Sequence, residues 1–481
     1  MSKMARKLIT VLALAACAAC TWAQAPAAGG GPLVQLNVVA VDGDGKPVAD
    51  LTADDFKVVD QGAAQRILFL HNNGAAGLAA QAGESSNRPS GAVPHATAIL
   101  FDLLNVKNMI DINSVWHNLA KWVPQMESGE SVYFYLLTVE GTLTPLHAIG
   151  GGAGDDKTWH QDFGKLLDKT MKGSRTVRPA GMSDEEVVKK TYVALETVGN
   201  QLATLPGRRD ILWITNGVPN IWKPDTPCNG EWIECALYVP HLSFTLDKAR
   251  VQVNPVSYTS SPNAYLNRDA DLMSALTGAR PYYAEEITKI VAHVASDSAS
   301  SYTLVYETQP EKLDNKFHKL KVTCERKGVK LQAKQYYYAL PDSRPLAARQ
   351  QAALVAAFQS AFDTPDLGLN ASLVAGAAGQ PAHLQLRANA SDLLLKEQGG
   401  SFEDQLTIVV ADLGAAGPIG TPSMANFNIH MTREQRDAAL KNGVPVAQDH
   451  PLPAGVQKVR VLVLDQGSST VGSVTIPVKA N

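Results

Sequence analysis

Beyond its first 25 residues, the 481-residue chain contains no run of the ~18 apolar residues that a helical membrane span needs. An excess of positive charge is missing too. The formal charge is −3, and about −6 once Lys3, Arg6 and Lys7 of the leader are set aside. Nucleic-acid binders displace counterions with clustered Lys and Arg, so this balance excludes them as a class. Gly-x-Ser-x-Gly and His-Glu-x-x-His are absent, which removes two common hydrolase signatures. The His residues are scattered, with His117, His160 and His293 on expected helices. Gly150 to Thr158 glances toward a phosphate loop but carries Asp156 where that loop needs Gly before its Lys. The acidic turn at Asp42 lacks the Gly and Glu of a calcium loop, having Pro47 and Ala53 at those positions. Cysteine is sparse, with five in all, and Cys17 and Cys20 fall in the leader region.

What is present describes an exported globular protein. An apolar fraction of 45% with 19% charged residues suits packed cores, and the length suits two to four of them. Lys3, Arg6 and Lys7 followed by the apolar Leu8 to Ala16 form a signal peptide over 1–25, and the expected cleavage follows Ala23. Leu14-Ala15-Ala16-Cys17 also fits a lipobox, so a lipid anchor on Cys17 stays open beside plain export. Location is therefore periplasmic, secreted or cell-surface. In that oxidising compartment Cys228 and Cys235 are expected to form a disulfide worth roughly 2–2.5 kcal/mol. Six intervening residues and no accompanying His pair argue against zinc.

The organising stretch is Ala98 to Asn105, an apolar run ending in Asp102, with a counterpart in Ile211 to Gly217. Between and after them strands alternate with amphipathic helices. One helix opens on the capping box Ser183 to Glu186 and carries Val188, Tyr192, Leu195 and Leu202 on one face. Such alternation predicts an α/β fold with a doubly wound, mostly parallel sheet. The expected division is a β-rich segment over 32–72, a flexible linker over 73–95 and the α/β domain over 96–300. Beyond it come β hairpins over 301–340, a connecting helix over 341–366 and a β-sandwich over 367–481. The hairpins and the N-terminal strands are candidates for one β unit split by the α/β block.

Leu51 to Phe56, Phe101 to Asn105, Pro206 to Ile214, Leu276 to Arg280 and Ser301 to Tyr306, in this order, resemble the von Willebrand factor type A-related family of exported acidobacterial proteins. That resemblance implies binding to partners, in the wider family through Mg²⁺ held by an Asp-x-Ser-x-Ser strand end, a Thr and a later Asp. Here Asp102 matches, Leu104 and Val106 replace the two Ser, Asn216 stands at the later Asp, and Thr176 is the stand-in Thr. Asn105 offers one further oxygen. The expectation is a degenerate site with no cofactor, Mg²⁺ or Ca²⁺ being the only candidates. Trp222 and Trp232, beside the cysteine pair, are the candidate partner contacts. The functional expectation is a non-enzymatic binding or adhesion protein meeting an unknown protein or cell-surface ligand. Its rivals are an exported hydrolase of unrecognised class and a purely structural envelope protein.

Overall fold

The computed structural model describes residues 32–478 except 76, 89–93, 106–122, 124–130, 148, 150–162, 167–168, 171–177, 206, 220–237, 258–263, 284, 342–343, 361, 375 and 377–380. Cys17, Thr176, Trp222, Cys228, Trp232 and Cys235, with the leader, lie outside the described residues.

In chain order the strands and helices begin with β1 (Leu33–Val41), β2 (Phe56–Asp60), β3 (Ala63–Gln65), β4 (Ile67–Asn72), β5 (Ser85–Ser86), β6 (His95–Asp102), β7 (Val132–Leu137) and β8 (Leu143–His147). There follow α1 (Asp184–Leu202), β9 (Arg208–Ile214), α2 (Val239–Ala249), β10 (Val251–Ser257), α3 (Ala264–Thr277), β11 (Tyr282–Tyr283) and α4 (Ile287–Ala299). Next are β12 (Ser301–Glu307), β13 (Phe317–Cys324), β14 (Lys330–Ala333), β15 (Tyr336–Tyr338) and α5 (Leu346–Gln359). The C-terminal part holds β16 (Leu369–Val374), β17 (Ala382–Ala388), β18 (Lys396–Gln398), β19 (Ser401–Gly414), β20 (Gly417–Met431), α6 (Arg433–Asn442), β21 (Val444–His450), β22 (Lys458–Asp465) and β23 (Val471–Pro477).

The expected fold class needs correction. Strand outweighs helix, 43% against 26%, so the chain is mostly β. Among the described residues, four of the five sheets pair only antiparallel: β14-β1-β12-β4, β15-β13-β2-β3, β21-β17-β16-β5, and β18-β19-β22-β23 with β20 on β19. The fifth, β11-β10-β9-β6-β7-β8, is mixed, because β8 runs antiparallel to β7. Its turn sets that direction. Gly141 at φ +77° returns its N–H to Thr138, a hairpin too short for a crossover helix. A doubly wound parallel α/β architecture therefore does not describe this molecule. Strands and helices do alternate in the 96–300 block, but the hairpin-rich remainder outweighs it.

Within the mixed sheet, β6 and β9 are buried on both faces, which is why they read as unbroken apolar runs. Helices α1, α2 and α3 pack one face around Leu100, Trp213, Leu195 and Leu246, while α4 covers Ile99 and Phe101 on the other. Helix α1 starts where Ser183 accepts the Glu186 N–H and the Glu186 carboxylate accepts the Ser183 N–H. Leu195, Val198 and Leu202 on its inner face are fully buried, each contributing ~1.5–3 kcal/mol. The N-terminal β1 and β4 flank β12, and β2 pairs β13, so strands some 260 residues apart in sequence share one core. Within the stretch expected as a linker, Ser85–Ser86 form β5 on the edge of β16, and Asn87 and Arg88 are buried.

Candidate functional site

Asp102 ends β6, where the ladder register sets Leu100 against Trp213 and Phe101 against Ile214. Side chains two residues apart on a strand share a face, so Trp213 and Thr215 both turn toward Asp102. The Trp213 indole N–H donates to Asp102 Oδ2 at 3.1 Å and the Thr215 hydroxyl at 2.8 Å. The Asn105 amide donates to the same oxygen at 2.7 Å, and the Asn105 backbone N–H to Oδ1 at 3.2 Å. Asn105 also donates to the Thr191 hydroxyl on α1, which donates in turn to the Val187 carbonyl. Two acceptors thus face the Asn105 amide nitrogen, which fixes the amide's orientation. Asp102 is wholly buried, and burial pushes its carboxyl upward against the pull of these donors.

A second carboxylate braces the same loop. Asp269 on α3 accepts the Val218 N–H at 2.6 Å, while Arg268 donates to the Val218 carbonyl and pairs with Asp269. Burial pushes Asp269 up to about 6, and the charge of Asp102 adds to it while Arg268 opposes. The end of β9 is therefore held from both sides, Thr215 by Asp102 and Val218 by α3.

Of the residues expected to hold a cation, the structure brings Asp102 and Asn105 together, and Asn216 follows Thr215 as a half-buried residue. At Asp102 Oδ2 the donor set does not fit a cation, while Asn105 Oδ1 is buried without a hydrogen-bond partner among the described residues. Indole and amide N–H groups have no lone pair to offer a metal, and they already face the carboxylate oxygen a metal would need. Sequence alone marks Trp213 as a core residue and does not single out Thr191, Thr215 or Asp269. The i, i+2 spacing of Trp213 and Thr215 was the available signal, since both face the Leu100 side once β9 is set beside β6.

A cavity lined by Arg268, Asp271 and Tyr336 borders the α3 brace, and two others lie farther off. One of 340 Å³ opens at the N-terminal end of β10, between the start of β1, the ends of α2 and α3, Lys334, Tyr337 to Leu340 and Arg349. A smaller one of 180 Å³ adjoins it along Leu33, Gln35 and Asn37. In the smaller one, Arg88 donates to the Pro365 carbonyl and pairs at 3.0 Å with Asp392, which also lies 2.9 Å from His71 Nδ1. The smaller cavity's Arg208 is likewise spent on Asp210.

No family model and no curated protein matches the chain. Among solved structures, it is similar to a point mutant of the PilB minor pilin from Streptococcus sanguinis, at 11% identity over 43% of this chain and a TM-score of 0.28. The match spans 62% of that pilin chain. An aerotolerance-related membrane protein from Bacteroides fragilis matches at 11% identity and TM-score 0.28, over 43% of this chain and 98% of that one. The human COPII-coat protein Sec24c matches at 9% identity and TM-score 0.25, over 53% of this chain and 45% of that one. Likeness at this level carries no inference about fold or function.

Proposed function

We propose that this chain is an exported binding protein that meets a protein or cell-surface partner without a metal-dependent adhesion site and without catalysing a reaction. The observation that carries this reading is the Asp102 carboxylate, whose Oδ2 is engaged by three side-chain donors from its own fold. A carboxylate used in this way braces the ends of β6 and β9, and its Oδ2 is already taken by N–H and O–H donors. The leader supports export. The motif resemblance at Phe101 to Asn105 supports binding over chemistry. No described helix is long and apolar enough to cross a membrane. Trp222 and Trp232 are the proposed partner contacts, pinned by a Cys228–Cys235 disulfide.

The test applies the labelled mature protein to envelope fractions, with and without a chelator. Saturable binding that survives chelation and weakens at least fivefold in Trp222→Ala/Trp232→Ala is expected. Binding lost to chelation would restore a metal, and no binding at all would favour a purely structural envelope protein. The hydrolase reading draws on the His71–Asp392 pair. Against it, His71 Nε2 has no hydrogen-bonded hydroxyl among the described residues, so no nucleophile stands ready there.

A further inference from the structure

The 340 Å³ cavity is lined by four cationic residues, Lys248, Arg250, Lys334 and Arg349, against a single anionic one, Asp247. Lys334 is spent on Asp247, and Arg250 on Asp366. Lys248 and Arg349 have no acidic partner among the described residues, and the Arg349 Nε is buried with no hydrogen-bond acceptor. A buried guanidinium nitrogen without an acceptor is costly in an unliganded protein and useful in one that takes an anion.

Helix C-termini could account for the cations, since α2 and α3 both end here, but their carbonyls are already engaged. Arg209 donates to Ala249, Thr277 to Met273, and the Gln335 N–H to Ala275. Charge is therefore left over after the fold has been served. The remaining wall sets apolar Leu33, Phe244, Leu276, Leu313 and Tyr338 beside polar Gln35, Asn37, Gln252 and Thr277. The volume falls at the lower end of the ~300–1,000 Å³ usual for small-molecule sites.

We propose that this cavity binds a small amphiphilic organic anion, its apolar body against Leu276 and Phe244 and its carboxylate or phosphate on Arg349. The site lies at the N-terminal end of β10, whereas Asp102 lies at the C-terminal end of β6 in the same parallel run of strands, so its ligand does not depend on a partner at the Asp102 end. In the neighbouring smaller cavity, Arg88 and Arg208 are already paired, which leaves Arg349 as the anion anchor of the continuous groove.

Calorimetry of the mature protein with octanoate, octyl phosphate, 1-octanol and octylammonium tests this. One-to-one binding of an anionic probe is expected, with octanol at least tenfold weaker and octylammonium undetected. Preference between octanoate and octyl phosphate identifies the headgroup. Arg349→Gln should weaken the anion about tenfold or more, while Arg349→Lys retains most of the affinity. Arg433→Gln, on the distant α6, should leave it unchanged. Equal binding of octanol and octanoate, no binding of either anion, or full affinity in Arg349→Gln overturns the proposal. Matching circular dichroism spectra of the variants guard against misfolding.

Discussion

Asp102 draws donors from its own strand end and from β9, and through Asn105 it is tied to α1, so its loss is felt in three elements. Asp102→Ala leaves the Trp213 indole and the Thr215 hydroxyl buried without their acceptor. Urea denaturation should show a loss of about 3 kcal/mol or more. A loss below about 1 kcal/mol would mean that the carboxylate is not the clamp described. Asp404 offers a test of opposite sign with pH. Burial, and then the neighbouring charge of Asp465, push it up to about 8. A folded-state value above the ordinary one means that the folded chain holds this proton more tightly than the unfolded chain. Its contribution to stability is complete below the unfolded value of 3.8 and is lost as pH rises through about 8. Melting temperature should therefore fall between about pH 4 and about pH 8, and Asp404→Asn should flatten that fall. Equal slopes in both proteins would remove Asp404 as the cause.

Entry into β9 depends on one backbone conformation. Gly207 sits at φ +80°, and a Cβ there would lie 1.8 Å from the Pro94 carbonyl oxygen, which itself accepts the Arg208 N–H. Gly207→Ala should cost more than about 2 kcal/mol by thermal unfolding, because strain and a lost strand contact add. Elements of this kind were legible in the sequence: β6 and β9 as apolar runs, α1 through its capping box, and α5 as an Ala-rich connecting helix. Partners were harder to see. The pattern of β8 shows a strand but not its direction, which the turn at Gly141 sets. Ser85-Ser86 carries no apolar pattern at all, and it becomes a strand because β16 presents an open edge beside it. The same limit applied at the site. Asp102 was visible as the end of an apolar run and Asn105 as its near neighbour, whereas the Trp213 and Thr215 donors arrive from 111 and 113 positions away, beyond any local pattern.

Across the whole molecule, Arg88, His71 and Asp392 tie the N-terminal β unit to the C-terminal sheets through a buried ion cluster. Asp392 is held below the usual carboxylate range by the neighbouring positive charges of His71 and Arg88 despite its burial. Asp392→Ala leaves Arg88 buried without its carboxylate, and limited proteolysis should then cut between these units at least several-fold faster than in the parent. An unchanged cleavage rate would mean that the units dock by apolar contact alone. The account rests most heavily on the Asp102 end of the sheet working without a cation. Calorimetric titration of the mature protein with Mg²⁺, Mn²⁺ and Ca²⁺, beside Asp102→Asn, tests this directly. The account predicts no saturable heat from any of the three ions that is lost in the variant. Saturable binding that vanishes in Asp102→Asn, with a raised melting temperature in the parent only, would contradict it.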